Sequence, residues 1–300
     1  MAIRSVRIPA FRSEPAQPAP VGDHRQLQAW FDQHRRIMVL TGAGCSTGSG
    51  IPAYRDGEGQ WRRRQPIFYQ DFMRDEAVRK RYWARSFFGW PLIQRARPNT
   101  AHYALARLQR KGRISGLITQ NVDGLHQAAG HQDVIELHGG LARVQCTECG
   151  AEVDRNQLQS RLDRLNPGCT AQVHGINPDG DAELDDRAGH AFQIADCDQC
   201  GGILKPDVVF FGESVPVAVT DAAIGLLDQS DAVLVVGSSL VVWSGFRLVR
   251  EAARRGRSVI AINQGRTRAD ELLGFKLNQD CGCALEQLAN SSESGSPSLG

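Results

Sequence analysis

Arg36-Ile-Met-Val-Leu40, running straight into Thr41-Gly-Ala-Gly-Cys-Ser-Thr-Gly-Ser-Gly-Ile-Pro52, is the stretch on which the fold turns. The apolar run follows a basic pair and precedes a glycine-rich segment, the pattern of a buried strand ending in a ligand-binding turn. Glycines placed there let the backbone approach a pyrophosphate, and the amides that follow can bind its oxygens. A tight loop without ligand is the plain alternative. The spacing is G-x-G-x-x-x-G, one residue longer than the dehydrogenase fingerprint, and no strand-end acid lies about twenty residues on. The reading therefore favours a nucleotide but not hydride transfer.

Working outward, three more strand-like runs have the same unalternating apolar character: Ser115–Thr119, Asp231–Gly237 and Ser258–Asn263. Helical spacing is present over Asp23–Phe31, Val219–Leu227 and Gly245–Arg255. Buried strands separated by helices predict an α/β fold, a Rossmann-like parallel sheet with helices on both faces. Two stretches of different character interrupt it. One is rich in aromatics and arginines, with helical periodicity from Phe72 to Phe88. The other contains the polar run Asn166–Gly189, which has no periodicity and is expected to be an irregular loop. The expected organisation is a discontinuous nucleotide-binding domain (23–51, 100–140 and 205–290) with a smaller domain (52–99 and 141–204) inserted in it. Residues 1–22 and 291–300 are read as disordered tails.

The eight cysteines lie in a chain without an apolar secretory segment, which argues against a disulfide framework. Cys146-Thr-Glu-Cys149 and Cys197-Asp-Gln-Cys200 form two CxxC knuckles, each followed by glycine. Four thiolates suit one tetrahedral, structural Zn²⁺ with no open position for catalysis; a redox pair is the alternative. Cys169 reads as a spare thiol. His138, in Glu136-Leu-His138-Gly-Gly140, is not needed by this complete set and becomes a candidate general base, with a structural histidine as the plain reading. Thr119-Gln-Asn-Val-Asp123-Gly-Leu-His126 follows the second strand and would face the binding crevice, or else form a polar loop capping a helix at Asp123. The net charge of +2 points to no nucleic-acid partner, and Arg62-Arg63-Arg64 reads as a solvated loop. No apolar run is long enough to span a bilayer.

Taken together, Gly42–Arg55 (GAGCSTGSGIPAYR), TQNVDGLH, ELHGG, the two knuckles, KPDVVFFGE, VVGSSL and AINQG resemble the sirtuin family, over about residues 25–288. RYWARSFFGWP, LNP with HGINPDGD, and LKPDVVFFGE resemble its class II group, the mitochondrial type and its bacterial relatives. The resemblance implies an NAD-dependent protein-lysine deacylase, with NAD as cofactor and acyl-lysine proteins or peptides as substrate. In that scheme Gly42, Ala43, Gly44, Ser46, Ile51, Tyr54, Arg55 and Trp61 hold the phosphates and ribose of NAD. Gln120, Asn121, Val122 and Asp123 border the nicotinamide pocket, Asn121 with a catalytic part. Gly237, Ser238, Ser239, Asn263, Gln264, Gly265 and Cys281 frame the adenosine end. Val208, Val209, Phe210, Phe211 and Gly212 would pair with the peptide as an added strand.

The implied chemistry is displacement of nicotinamide by the acyl oxygen, after which His138 deprotonates a ribose hydroxyl that attacks the resulting imidate. Water then releases lysine and O-acyl-ADP-ribose. Ala53 departs from the acidic or polar residue common before the aromatic–Arg pair, and Tyr54 stands where Phe is usual. The Asn166–Gly189 insertion is a candidate to reach the acyl channel. Tyr82 and Arg85 have the Y-x-x-R spacing with which acid-acyl-selective relatives hold a carboxylate, and i,i+3 positions share a helix face. A core tyrosine beside a surface arginine is the plain reading. The expectation is some preference for acyl groups beyond acetyl, carboxylated ones included. Protein mono-ADP-ribosylation and a weakly active NAD-sensing scaffold are the competing readings. A cytoplasmic location is expected, with the mitochondrial matrix as alternative, since Arg4, Arg7 and Arg12 would suit a transit peptide.

Overall fold

The computed structural model describes residues 17–54, 66–185 and 191–291. Arg55, Trp61 and the Arg62–Arg64 cluster lie outside them. The chain begins with α1 (His24–Gln33), β1 (Ile37–Thr41), α2 (Tyr69–Arg74), α3 (Glu76–Arg95), α4 (Thr100–Arg110), β2 (Ile114–Thr119), α5 (Leu125–Ala128) and β3 (Ile135–Glu136). There follow β4 (Gly139–Cys146), β5 (Glu152–Asp154), α6 (Arg155–Leu165), β6 (Val173–Ile176), β7 (Ala182–Leu184) and β8 (Leu204–Val208). The last elements are α7 (Val217–Gln229), β9 (Ala232–Val236), α8 (Trp243–Arg254), β10 (Ser258–Ile262), β11 (Lys276–Leu277) and α9 (Cys281–Ser291).

The main sheet is parallel throughout, in the order β11-β10-β9-β1-β2-β3. Every residue of β1 and β9 is buried, which is why these strands carry no polar alternation. Their pleat still divides the core in two. Ile37, Val39, Leu234 and Val236 point to a cluster completed by Phe31 of α1, Leu105 of α4 and Leu285 of α9. Met38, Leu40, Val233 and Val235 point to the other face, under Leu227 of α7 and Leu248 of α8. Local signals agree with this placement: the Asp23 side chain accepts from the Gln26 amide and Gln26 reciprocates, a capping box that starts α1.

A third core lies outside the sheet. Phe72, Trp83, Phe87 and Trp90 from α2 and α3 pack with Leu158 and Leu162 of α6, Val144 of β4 and Leu204 of β8. The antiparallel sheet β5-β4-β8 forms its floor. The two cysteine knuckles clamp one end of this small sheet, where Cys146 pairs with Leu204. Sγ of Cys146 is 3.5 Å from that of Cys200, and Cys149 Sγ is 3.7 Å from Cys197 Sγ. All four sulfurs lie within 4.8 Å of one another. Zn–S bonds of about 2.3 Å in a tetrahedron require sulfur separations of roughly 3.8 Å, so the donors fit Zn²⁺ without rearrangement. Gly150 and Gly201 both take φ +73°, closing each knuckle where a side chain would be strained.

Two expectations about irregular chain need correction. Residues 17–22, read as part of a tail, are packed: Ala19 is buried, Gly22 N donates to Lys276 O at 3.0 Å, and Lys276 N donates to Pro20 O at 2.8 Å. A proline-rich segment with no apolar period satisfies the outer edge of β11 by backbone alone. Within the insertion, β6 and β7 form an antiparallel hairpin around Asn177-Pro178-Asp179-Gly180, with Asn177 N donating to Asp181 O at 2.8 Å. Proline presets the turn and Gly180, at φ +81°, completes it.

Two predictions follow from these interiors. A chelator, or Cys149→Ser, should release one zinc per chain and lower the melting temperature markedly; an unchanged melt in zinc-free protein would remove the metal from the fold. The second concerns His102, His126 and His131, which pack ring against ring and are buried. Burial lowers His102 and His131 to about 4, and lowers His126 well below its ordinary value. Unfolding lets each take up a proton below about 6.5, so their contribution is intact above that pH and is lost as pH falls toward 4. Each adds up to about 1.4 kcal/mol of destabilisation per pH unit in that window. Denaturant melts of His102→Gln should show a shallower acid slope than wild type.

Candidate functional site

A cavity of about 780 Å³ opens at the carboxyl ends of β1, β2, β9 and β10, the crevice in which open α/β sheets bind ligands. The loop after β1 forms two 3₁₀ turns, Ala43–Cys45 and Thr47–Ser49, rather than the start of an α-helix. This is the physical meaning of the extra residue in the glycine pattern. Gly44 N donates to Gly237 O at 2.8 Å, and a Cβ on Gly237 would come within 2.3 Å of Cys45 N. Only glycine permits this crossing of the two loops.

The residues named from sequence converge here to a large extent. Gly42, Ala43, Gly44, Ser46, Ile51 and Tyr54 line the cavity, as do Gln120, Asn121, Val122, Asp123 and His138. So do Gly237, Ser238, Ser239, Asn263, Gln264 and Cys281 at one end, and Tyr82 and Val208–Gly212 at the other. Gly265 and Arg85 are not among the lining residues. Gly265 turns away, its amide bound to Asn278 Oδ1 at 3.0 Å. The Arg85 guanidinium lies 3.4 Å from Asp181 Oδ2.

Asn121 Nδ2 donates to Gly42 O at 3.1 Å and to Ser46 Oγ at 3.0 Å; Ser46 Oγ in turn donates to Asp123 Oδ2 at 2.7 Å. The other Asp123 oxygen accepts from Leu125 N at 2.9 Å, at the start of α5. Burial raises the Asp123 pKa, and the donors from Leu125 and Ser46 work against that rise. The turn after β2 is thereby tied to the turn after β1.

His138 precedes β4. Its Nδ1 is 2.9 Å from Gln120 O, an acceptor only, so Nδ1 carries the proton and Nε2 offers a lone pair. Burial lowers its pKa to about 4, with the Gln120 carbonyl acting in the opposite direction. The ring is therefore neutral at pH 7 and able to accept a proton. Cys45, His102 and His126 form a second group of metal-ligand types within 4.8 Å. There His102 Nδ1 accepts from Asn99 N at 3.2 Å, which places its proton on Nε2 and leaves that atom no lone pair for a cation.

The Asn166–Gly189 insertion, a candidate to reach the acyl channel, does contribute to the cavity wall, through residues that sequence reading did not single out. Pro178, Asp179 and Asp181, at the tip of the β6–β7 hairpin, line the cavity beside Tyr54 and Tyr82. Burial raises the pKa of both acids, the charge of Asp179 raises that of Asp181 further, and Arg85 works against the rise in each. The N-P-D-G turn was visible in sequence, but where it lands depends on packing against α3. Ser244, at the start of α8, was also missed: its Oγ is 2.7 Å from His138 Nε2.

The Sir2 family profile matches residues 42–244. A relative from Xanthomonas axonopodis pv. citri, an NAD-dependent protein deacetylase, is 54% identical over 89% of this chain and 91% of its own length. Bovine sirtuin-4, an NAD-dependent protein lipoamidase of mitochondria, is 44% identical over 93% of this chain and 89% of its own. Among solved structures, a complex of Sir2 with a p53 peptide and NAD⁺ superposes with a TM-score of 0.72 at 30% identity, covering 91% of this chain and all (100%) of the other. With the parallel sheet, the inserted four-cysteine module and the cleft between them in place, these likenesses make the chain a member of the Sir2 family.

Proposed function

We propose that the protein is an NAD-dependent protein-lysine deacylase, with deacetylation as its basic reaction. The observation that carries this reading is His138: a neutral imidazole, its unprotonated Nε2 met by Ser244 Oγ, lining the same cleft as the Asn121–Ser46–Asp123 network. NAD supplies a ribose whose bond to nicotinamide can be displaced by an acyl oxygen. The chain supplies the rest. Gly42–Ser46 and Gly237–Ser239 present backbone and hydroxyl groups at the sheet end, where phosphates and adenosine are held. Asn121 and Asp123 order the nicotinamide end. His138 accepts the proton of a ribose hydroxyl.

The substrate backbone is placed along Val208–Gly212. β8 is an edge strand of its sheet, and β-augmentation needs such an edge. Val209 N is already used by His138 O at 2.9 Å, which ties the peptide-binding segment to the base, and Phe211 O is taken by Tyr69 N at 2.9 Å. A cytoplasmic location fits the bacterial source of the first relative, and among the described residues no helix is long and apolar enough to cross a membrane.

His138→Ala should abolish peptide deacylation while the protein still binds NAD, read by calorimetry alongside a deacetylation assay. Because the folded pKa lies near 4, the acid limb of kcat/KM assigned to His138 should fall well below pH 6. An acid limb near 6.5 in the wild-type profile would contradict a neutral, buried base.

Ile67, Tyr82, Val208 and Phe210 line the cavity together with Asp179 and Asp181 of the hairpin tip, an apolar wall with acids beside it. We infer that the cavity takes acyl chains longer than acetyl. A carboxylated chain would reach Arg85 only by displacing Asp181. Acetyl-, glutaryl- and lipoyl-lysine peptides, compared across wild type, Arg85→Met and Asp181→Asn, separate the cases. If Arg85 grips a carboxylate, Arg85→Met should cost about tenfold in kcat/KM on glutaryl alone, and Asp181→Asn should raise it. Equal losses on all three peptides would remove Arg85 from acyl recognition.

A further inference from the structure

The hydroxyl nearest the candidate base belongs to a residue with no role in the reading above. Ser244 Oγ stands 2.7 Å from His138 Nε2 and lines the same cavity. Since Nδ1 donates to the Gln120 carbonyl, Nε2 is bare and the Ser244 O–H must be the donor. Ser244 is held there by its surroundings. It is the second residue of α8, and Gly245 beside it has no room for a side chain: a Cβ would lie 2.6 Å from Gln120 Oε1. The Gln120 amide in turn donates to Ser238 Oγ at 2.7 Å. Gln120 thus fixes one ring nitrogen through its carbonyl, while its side chain meets the helix that fixes the other.

We propose that Ser244 is a positioning residue for the His138 base, holding the imidazole by its Nε2 at the cleft wall until a ribose hydroxyl takes that lone pair over. The assignment rests on the deacylase reading. A hydroxyl both donates and accepts, so Ser244 matches the ring in either protonation state. It donates to the bare Nε2 before reaction. The ribose hydroxyl takes over the Nε2 lone pair only as Ser244 rotates its own proton away; the ribose O–H bond then breaks, an Nε2–H bond forms, and Ser244 Oγ is left to accept from it. No bond to Ser244 Oγ is made or broken, and the positive charge formed on His138 gains an acceptor in place of a donor.

The two halves of the reaction separate the possibilities. Exchange of labelled nicotinamide into NAD, in the presence of an acetyl-lysine peptide, reads the step before His138 acts; release of free lysine reads the step after. Ser244→Ala should lower kcat for deacylation about tenfold, the worth of one hydrogen bond to the base. KM for NAD and peptide should stay within about twofold, and exchange should be unchanged or faster. Ser244→Thr, which keeps the hydroxyl, should recover most of the loss, with melting temperatures of all three proteins alike. Deacylation by Ser244→Ala equal to wild type, a parallel fall in exchange and deacylation, or no rescue by threonine would each overturn the assignment. A wild-type protein that exchanges nicotinamide but releases no lysine would overturn the deacylase reading itself, and this assignment with it.

Discussion

Two backbones touch where β1 and β9 end, and the rest of the site depends on that contact. The Gly44 amide meets the Gly237 carbonyl at 2.8 Å, a distance that any side chain on Gly237 would forbid. The crossing spends the loop after β1 on two 3₁₀ turns instead of a helix. It also brings Ser46 to Asn121 and Asp123, so the turns after adjacent strands of the sheet share one hydrogen-bond network. A parallel sheet places its strand ends side by side for free; glycine converts that proximity into a single rigid surface.

His138 sits where the cores meet. Leu137 before it belongs to the sheet core over α7 and α8, whereas Leu141, three residues on, belongs to the aromatic core of the inserted part. The base therefore stands at a seam between two hydrophobic interiors, fixed by a carbonyl from β2's turn and by a hydroxyl from α8. Packing on both sides excludes the water that would otherwise stabilise an imidazolium, and that exclusion keeps the ring neutral.

How far the sequence carried this picture depends on the range of the signal. Unbroken apolar runs such as Ala232–Val236 report a strand buried on both faces, and β1, β2, β9 and β10 were all legible this way. The CxxC knuckles were legible because their chemistry is local. Short edge strands carry no such pattern: Ile135–Glu136 and Lys276–Leu277 are two residues each and exist because a neighbour offers hydrogen bonds. The Asn166–Gly189 insertion was expected to approach the acyl channel, and its tip lines the cavity, but its hairpin pairing carried no period to read. Arg85 illustrates the converse case. Its i,i+3 spacing from Tyr82 is real, yet its partner Asp181 is 96 residues away in sequence, and nothing local foretells that its charge is already engaged.

The segment Pro20–Gly22 has a meaning beyond its few hydrogen bonds. A parallel sheet of this kind ends in rows of unpaired amides and carbonyls, which are templates for another chain. Here one edge is closed by Val21 lying alongside Lys276. Pro18 precedes the segment and Pro20 begins it, and proline has no amide with which to extend a ladder outward. The chain thus covers the β11 edge of its own sheet with a short stretch in which two residues have no amide to offer a neighbour. That cover is built from residues whose composition, on its face, promised no structure at all.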